Sequence, residues 1–205
     1  MAAHPDDESF GLGAVLTWLA AGGCQISVLC LTRGEASGLH GVPGELAAIR
    51  QRELAAAASE LGLVRVELRD YPDGGLTGAA GMVEAVAEFV AEAAPDGLVV
   101  FDDNGVTGHA DHVAATAAAT RAAEALGLPV LAWTLPAEVA ASLNQEFGTG
   151  FAGHPERELQ AIPVDRGRQR AAIDCHRSQA VPGSVLWRRL ELLGDREYLR
   201  WLRPG

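Results

Sequence analysis

Two short stretches of this sequence concentrate side chains that can do chemistry. The first, Ala3-His4-Pro5-Asp6-Asp7-Glu8, sets one imidazole and three carboxylates within five residues. His4 and Asp7, three apart, suit a divalent cation such as zinc, which takes nitrogen and carboxylate ligands. Asp6 would then lie beside the metal without binding it, where a general base for an attacking water belongs. The same residues also read as an Asp-rich helix N-cap after a turn-forming proline.

The second stretch, Gly108-His109-Ala110-Asp111-His112, opens a helix after the loop begun by Asp102-Asp103-Asn104-Gly105. His109 and His112 stand at i, i+3 and can face the same way. Two of the six histidines in four residues, beside an Asp, are harder to explain as core residues than a lone His would be. Together the stretches supply His, Asp and His and leave coordination positions open, as a catalytic metal site does and a closed structural site does not. A carboxylate beside one histidine also suits the orientation of a ligating imidazole.

The elements that must position these residues alternate. A helix is expected from Glu8 to Ala21, capped by Asp6 or Asp7 and ended by Gly22-Gly23. Ile26–Thr32 is a short apolar run of the kind buried on both faces of a sheet, followed by a Gly-rich loop from Arg33 to Pro43. The composition of Glu45–Leu61 predicts a helix. Val64–Arg69, Gly97–Phe101, Pro129–Thr134 and Glu158–Val164 read as strands. Met82–Ala93, Asp111–Leu126, Pro136–Phe147, Gly167–Ser178 and Ser184–Trp201 read as helices. This order predicts one domain over 1–205, a Rossmann-like α/β fold with a mostly parallel sheet and helices on both faces. In such folds the site lies at the carboxyl ends of the strands, here His4–Glu8, Arg33–Ser37, Asp70–Gly74 and Asp102–His112. Arg50 falls on the helix stripe Leu46, Arg50, Leu54, Ala57, Leu61 that should be buried, so it needs a buried carboxylate or an anionic substrate as partner.

Composition removes other chemistries. The 205 residues carry a net charge of −11, which argues against nucleic acid or an anionic membrane as partner. All sixteen basic residues are Arg, ten of them from Arg157 onward, and without Lys there is no Schiff-base lysine, Ser-Lys dyad or Walker-type loop. Apolar runs are too short to span a bilayer and no secretory signal is visible, so a cytoplasmic location is expected. Cys24, Cys30 and Cys175 form no Cys-x-x-Cys pair and read as buried thiols in a reducing compartment. Gly11-Leu12-Gly13 lacks the third glycine of a dinucleotide fingerprint and lies inside an expected helix.

With these residues in place, the sequence resembles the zinc-dependent N-acetylglucosaminyl deacetylases of the PIG-L/LmbE type. The resemblance is carried by AHPDDE at 3–8 and GHADH at 108–112. It is supported by LTRGE at 31–35, Arg50/Glu53 in a helix ending ELG at 60–62, Asp73-Gly74, and His176-Arg177-Ser178-Gln179. It implies zinc, or ferrous iron or another divalent metal, on His4, Asp7 and His112, with Asp6 as general base. It also implies His109 as general acid or electrostatic stabiliser, Asp111 tuning a neighbouring histidine, and substrate contacts from Arg50 and Asp73. Ala110 replaces a proline common in the second motif. Thr107 stands where some members carry a tyrosine that helps stabilise the oxyanion. Members have an apolar strand leading into the first motif, whereas only Met1-Ala2-Ala3 precede His4. Either residues are missing before Met1 or the first strand is truncated, and a truncated strand would anchor His4 poorly.

The activity implied is hydrolysis of the N-acetyl group of a small-molecule amino-sugar conjugate. Asp6 takes a proton from water as it attacks the acetyl carbonyl, zinc and protonated His109 stabilise the oxyanion, and the amine is protonated by His109 or by Asp6 acting twice. Two alternatives stand beside it: an amidase removing a larger acyl group from a thiol-sugar conjugate or antibiotic, and a member that binds metal or ligand with weakened catalysis.

Overall fold

The computed structural model describes residues 1–39 and 43–205. The far end of the Gly-rich loop expected up to Pro43, at 40–42, lies outside the described residues. Helices Asp7–Phe10 (α1) and Gly13–Ala21 (α2) precede strand Ser27–Thr32 (β1). Pro43–Leu61 (α3), Arg65–Tyr71 (β2), Met82–Ala93 (α4), Leu98–Phe101 (β3), Ala110–Leu126 (α5), Val130–Thr134 (β4) and Ala137–Phe147 (α6) continue the alternation. The chain closes with Gln160–Pro163 (β5), Gly167–Cys175 (α7), Val185–Leu193 (α8) and Arg196–Arg203 (β6).

β1 pairs with β2 and β3 with β4, both in parallel, while β6 runs antiparallel to β4 and β5 in the order β3-β4-β6-β5. Between the two sheets lies Met1–Ala3. Ala2 bridges Cys30 in parallel; its N–H donates to Leu29 O at 2.9 Å and its carbonyl accepts from Leu31 N at 3.1 Å. On the other side the Met1 amine donates to Val99 O of β3 at 2.9 Å. Met1–Ala3 thus occupies the central position. It hands His4 to the rim firmly, because the Ala3 carbonyl accepts from both Thr32 N and Thr32 Oγ1 at 2.9 Å. The weak anchoring of His4 expected of a truncated strand is not found.

Alternation along the strands puts helices on both faces. Val28 and Cys30 pack with Leu12, Val15, Leu16 and Leu54, on the side of α2 and α3. Leu29 and Leu31 pack with Met82, Val86, Ala115 and Ala118, on the side of α4 and α5. The predicted stripe of α3 is buried throughout, Arg50 included.

Four expectations are corrected. The helix foreseen over Glu8–Ala21 breaks after Phe10, where Gly11 passes so close to Phe101 that a Cβ would lie 2.5 Å from the ring. Neither Asp caps it through a side-chain bond, because both carboxylates turn to other partners. The helix foreseen over Ser184–Trp201 stops at Leu193, and Arg196–Arg203 is instead a strand. Gly194 turns the chain at φ 57, and pairing with β4 and β5 decides a stretch whose local pattern fits helix equally well. Cys24 is exposed rather than buried, while Cys30 is buried and Cys175 half-buried.

Candidate metal centre and active site

The strand ends bring the expected segments together. Asp7 is fixed first: its Oδ2 accepts from the backbone N–H groups of Ala3 and His4, both at 2.9 Å, which aims Oδ1 at His112 Nε2, 3.1 Å away. His112, in the first turn of α5, places Nδ1 3.1 Å from Gly105 O and 2.9 Å from Thr107 Oγ1. A carbonyl only accepts, so the proton sits on Nδ1 and Nε2 is the nitrogen left for a cation. The His4 imidazole is turned the opposite way. Its Nε2 faces Asp73 Oδ1 at 3.1 Å and Asp111 Oδ2 at 3.3 Å, and its Nδ1 lies on the side of Asp7.

These residues fit a divalent metal. Ligand atoms of His4, Asp7 and His112, all buried, lie within 4.8 Å of one another, and the outward nitrogen of each imidazole is hydrogen-bonded in the manner that orients metal-binding histidines. His4, His109 and Asp111 form a second such group that shares His4. The electrostatics point the same way. Burial by itself disfavours charge on His4, yet the carboxylates of Asp7 and Asp73 outweigh it and push the pKa up to about 11. Burial likewise opposes ionisation of Asp7, but His112 and His4 hold it well below the usual carboxylate range. The cluster is a field that calls for positive charge.

Asp111, in the first turn of α5, is fully buried against the loop after β2: Oδ2 accepts from Gly74 N at 2.8 Å and Oδ1 from Leu76 N at 3.0 Å. The histidine it serves is His4, not its sequence neighbours. His109 caps α5, its Nδ1 accepting from Asp111 N at 3.2 Å, which leaves the proton on Nε2. Its exposed ring stands 4.6 Å from that of His4. Burial, then the imidazoles of His4 and His112, hold the His109 pKa below its usual value.

Asp6 stands beside the ligand set but points elsewhere. Its Oδ2 lies 2.9 Å from Arg50 Nη2. Burial raises the Asp6 pKa to about 6 against the pull of the Arg50 guanidinium. Arg50 itself is buried and donates to Gly34 O at 2.8 Å and Pro5 O at 2.6 Å, so its guanidinium serves Asp6 and the loop around it. Gly34 must be glycine here: it sits at φ 65, and a Cβ would lie 2.2 Å from the guanidinium. Asp73 faces His4 and accepts from Ala36 N at 3.0 Å.

Sequence reasoning missed the part played by Thr107, whose hydroxyl meets the outward nitrogen of His112. It also missed Asp102, which lies behind the second motif. The buried Asp102 carboxylate gathers His154 Nε2 at 2.5 Å, Arg200 Nε at 2.6 Å and Thr134 Oγ1 at 3.1 Å, tying the loop before α5 to three distant segments. The Thr107 contact spans only five positions, but these three partners of Asp102 lie 32 to 98 positions away, so nothing local in the sequence marks them.

Residues 1–123 match the family model described as GlcNAc-PI de-N-acetylase, PIG-L. Among curated proteins, the 1D-myo-inositol 2-acetamido-2-deoxy-alpha-D-glucopyranoside deacetylase of Streptomyces avermitilis is 33% identical over 89% of this chain and 71% of its own length. The chain spans between 48% and 84% of the length of such relatives. Among solved structures, a deacetylase of teicoplanin biosynthesis superposes with a TM-score of 0.75 at 20% identity, covering 100% of this chain and 98% of the other. The 4-carboxy-2-hydroxymuconate hydratase of Pseudomonas putida shares the fold nearly as well, with a TM-score of 0.73 at 17% identity over 100% and 95% of the two chains. One fold thus carries two reactions, and family membership rests on the sequence matches and the two motifs. On those grounds the chain belongs to the PIG-L family of de-N-acetylases.

Proposed function

We infer that this protein is a zinc-dependent hydrolase that removes the N-acetyl group from an N-acetylglucosamine-type conjugate. The observation that carries this reading is the convergence of His4, Asp7 and His112, with a separate carboxylate, Asp6, beside them. His4 Nδ1, a carboxylate oxygen of Asp7 and His112 Nε2 would hold the metal. When bound, it supplies a Lewis acid that polarises the amide carbonyl and acidifies water.

The side chains do the rest. Asp6, its pKa near 6 and its position fixed by Arg50, accepts the proton of the attacking water and delivers it to the departing amine. His109, with Nδ1 occupied and a lowered pKa, acts as a neutral imidazole whose Nε2–H hydrogen-bonds the developing oxyanion. Asp73 and Asp111 keep the His4 ring in its tautomer. Among the described residues no helix is long and apolar enough to cross a membrane, which favours a small-molecule conjugate over a lipid-embedded one. The three free cysteines agree with a reducing compartment such as the cytoplasm.

The test is an assay of acetate and free amine over N-acetylglucosamine conjugates, using enzyme stripped by a chelator and reloaded with zinc or ferrous iron. Metal-dependent release of both products in equal amounts is the expected result. Release of a bulky acyl group but no acetate would replace this reading with that of a larger-acyl amidase.

A further inference from the structure

Glu8 and His176 have no role in the chemistry above, yet they form a fully buried pair next to the base. His176 Nε2 lies 2.6 Å from Glu8 Oε1, with both side chains 0% exposed. Ser9 Oγ donates to the same oxygen at 2.6 Å. The other oxygen, Glu8 Oε2, accepts the backbone N–H of Asp6 at 2.9 Å. A buried carboxylate persists only when its lone pairs are met, and three donors meet these.

Asp6 is the residue that needs holding. Its backbone sits at φ 141 and ψ −24, a region that side-chain-bearing residues adopt only when their surroundings force it. Its own backbone N–H and carbonyl are both engaged. Ser9 N and Phe10 N donate to Asp6 O at 2.9 and 2.6 Å, and Arg50 holds Pro5 O and the Asp6 carboxylate. The remaining hold, on the Asp6 N–H, comes from Glu8. The position of Glu8 is set in turn by His176, 168 positions away at the end of α7. The segment after His176 is itself fixed on α3, where Glu53 accepts from Ser178 N at 2.8 Å and Ser178 Oγ at 2.6 Å. α3 also carries Arg50, so its carboxylate and its guanidinium brace the Asp6 peptide by two routes.

We propose that Glu8 and His176 are positioning residues: the pair locks the Asp6 peptide in its strained conformation and so holds the Asp6 carboxylate in its place on Arg50, beside the metal ligands. This rests on the reading of Asp6 as the base. A pair that merely filled the core would lower stability when broken and leave the Asp6 peptide as it is.

The experiment compares the zinc-loaded full chain with His176→Leu and His176→Gln. In His176→Leu, kcat falls about 10–100-fold with KM and bound zinc unchanged, the size expected for misplacing a catalytic group by an ångström or less. Hydrogen exchange at the Asp6 amide speeds up, while the Ala3 and His4 amides, held by Asp7, stay protected. His176→Gln, whose amide N–H reaches Glu8, recovers most of the loss. In an Asp6→Asn background His176→Leu costs nothing further, since the group it positions is gone. Wild-type kcat in His176→Leu, unchanged Asp6 exchange, or a fully additive loss in the Asp6→Asn background would overturn the proposal. If His176→Leu does not fold, Ser9→Ala removes a donor from the same Glu8 oxygen. A several-fold drop in kcat with faster Asp6 exchange then supports the proposal, and neither effect refutes it. The exchange readout needs no turnover, so a wild-type enzyme that releases no acetate would refute the deacetylase reading and still leave this one measurable.

Discussion

Arg50 and Asp6 form a nearly buried ion pair, Nη2 to Oδ2 at 2.9 Å, with side-chain exposures of 4% and 16%. Burial drives the Asp6 pKa up to about 6, and the guanidinium keeps it from rising further. A base works only when deprotonated, so Arg50→Gln should move the acid limb of kcat to higher pH. The variant then loses more activity at pH 6 than at pH 8 in the metal-loaded enzyme. An acid limb at its original pH would show that Asp6 is not the titrating base.

The ligand set and the base should separate cleanly. Asp7→Ala and His112→Ala lose metal and activity together, because each removes one of three converging donors. Asp6→Asn retains stoichiometric metal while kcat falls by roughly 10²–10⁴. Metal content by atomic absorption beside turnover decides it; full turnover without Asp6, or stoichiometric metal without Asp7, sinks the assignment.

The partners of the two imidazoles should differ in weight. His112 Nδ1 has two acceptors, Gly105 O and Thr107 Oγ1, so Thr107→Ala leaves one and changes metal affinity little. Asp111 is buried, holds the loop after β2 and faces His4, so Asp111→Asn should weaken metal binding about 10–100-fold. Competition with a chromogenic chelator measures both, and equal losses would contradict the geometry.

Gly11 should resist substitution although it touches no ligand. A Cβ there would sit 2.5 Å from Phe101, whose ring packs 4.4 Å from that of His112. Gly11→Ala is expected to cost ~1–3 kcal/mol, as overpacked cores do, and to lower metal affinity through the displaced ring. Denaturant midpoints with and without zinc check both, and an unshifted midpoint would mean that Phe101 has room to yield.

Much of this is legible in the sequence. Helix α3 and its buried stripe follow from composition and a 3.6-residue period, and Arg50 on that stripe announced a buried partner. The two motifs named His4, Asp7, His109, Asp111 and His112, because local spacing alone places such residues on one turn. Folding decided what local spacing cannot encode. It broke the first helix where Gly11 meets Phe101, and made a strand of Arg196–Arg203 because β4 and β5 offered pairing. It turned Asp73 and Asp111 on His4, and set His176 against Glu8 across 168 positions. The physical reason is range: periodicity and capping act over a few residues, whereas a buried charge finds its partner only when distant segments pack together.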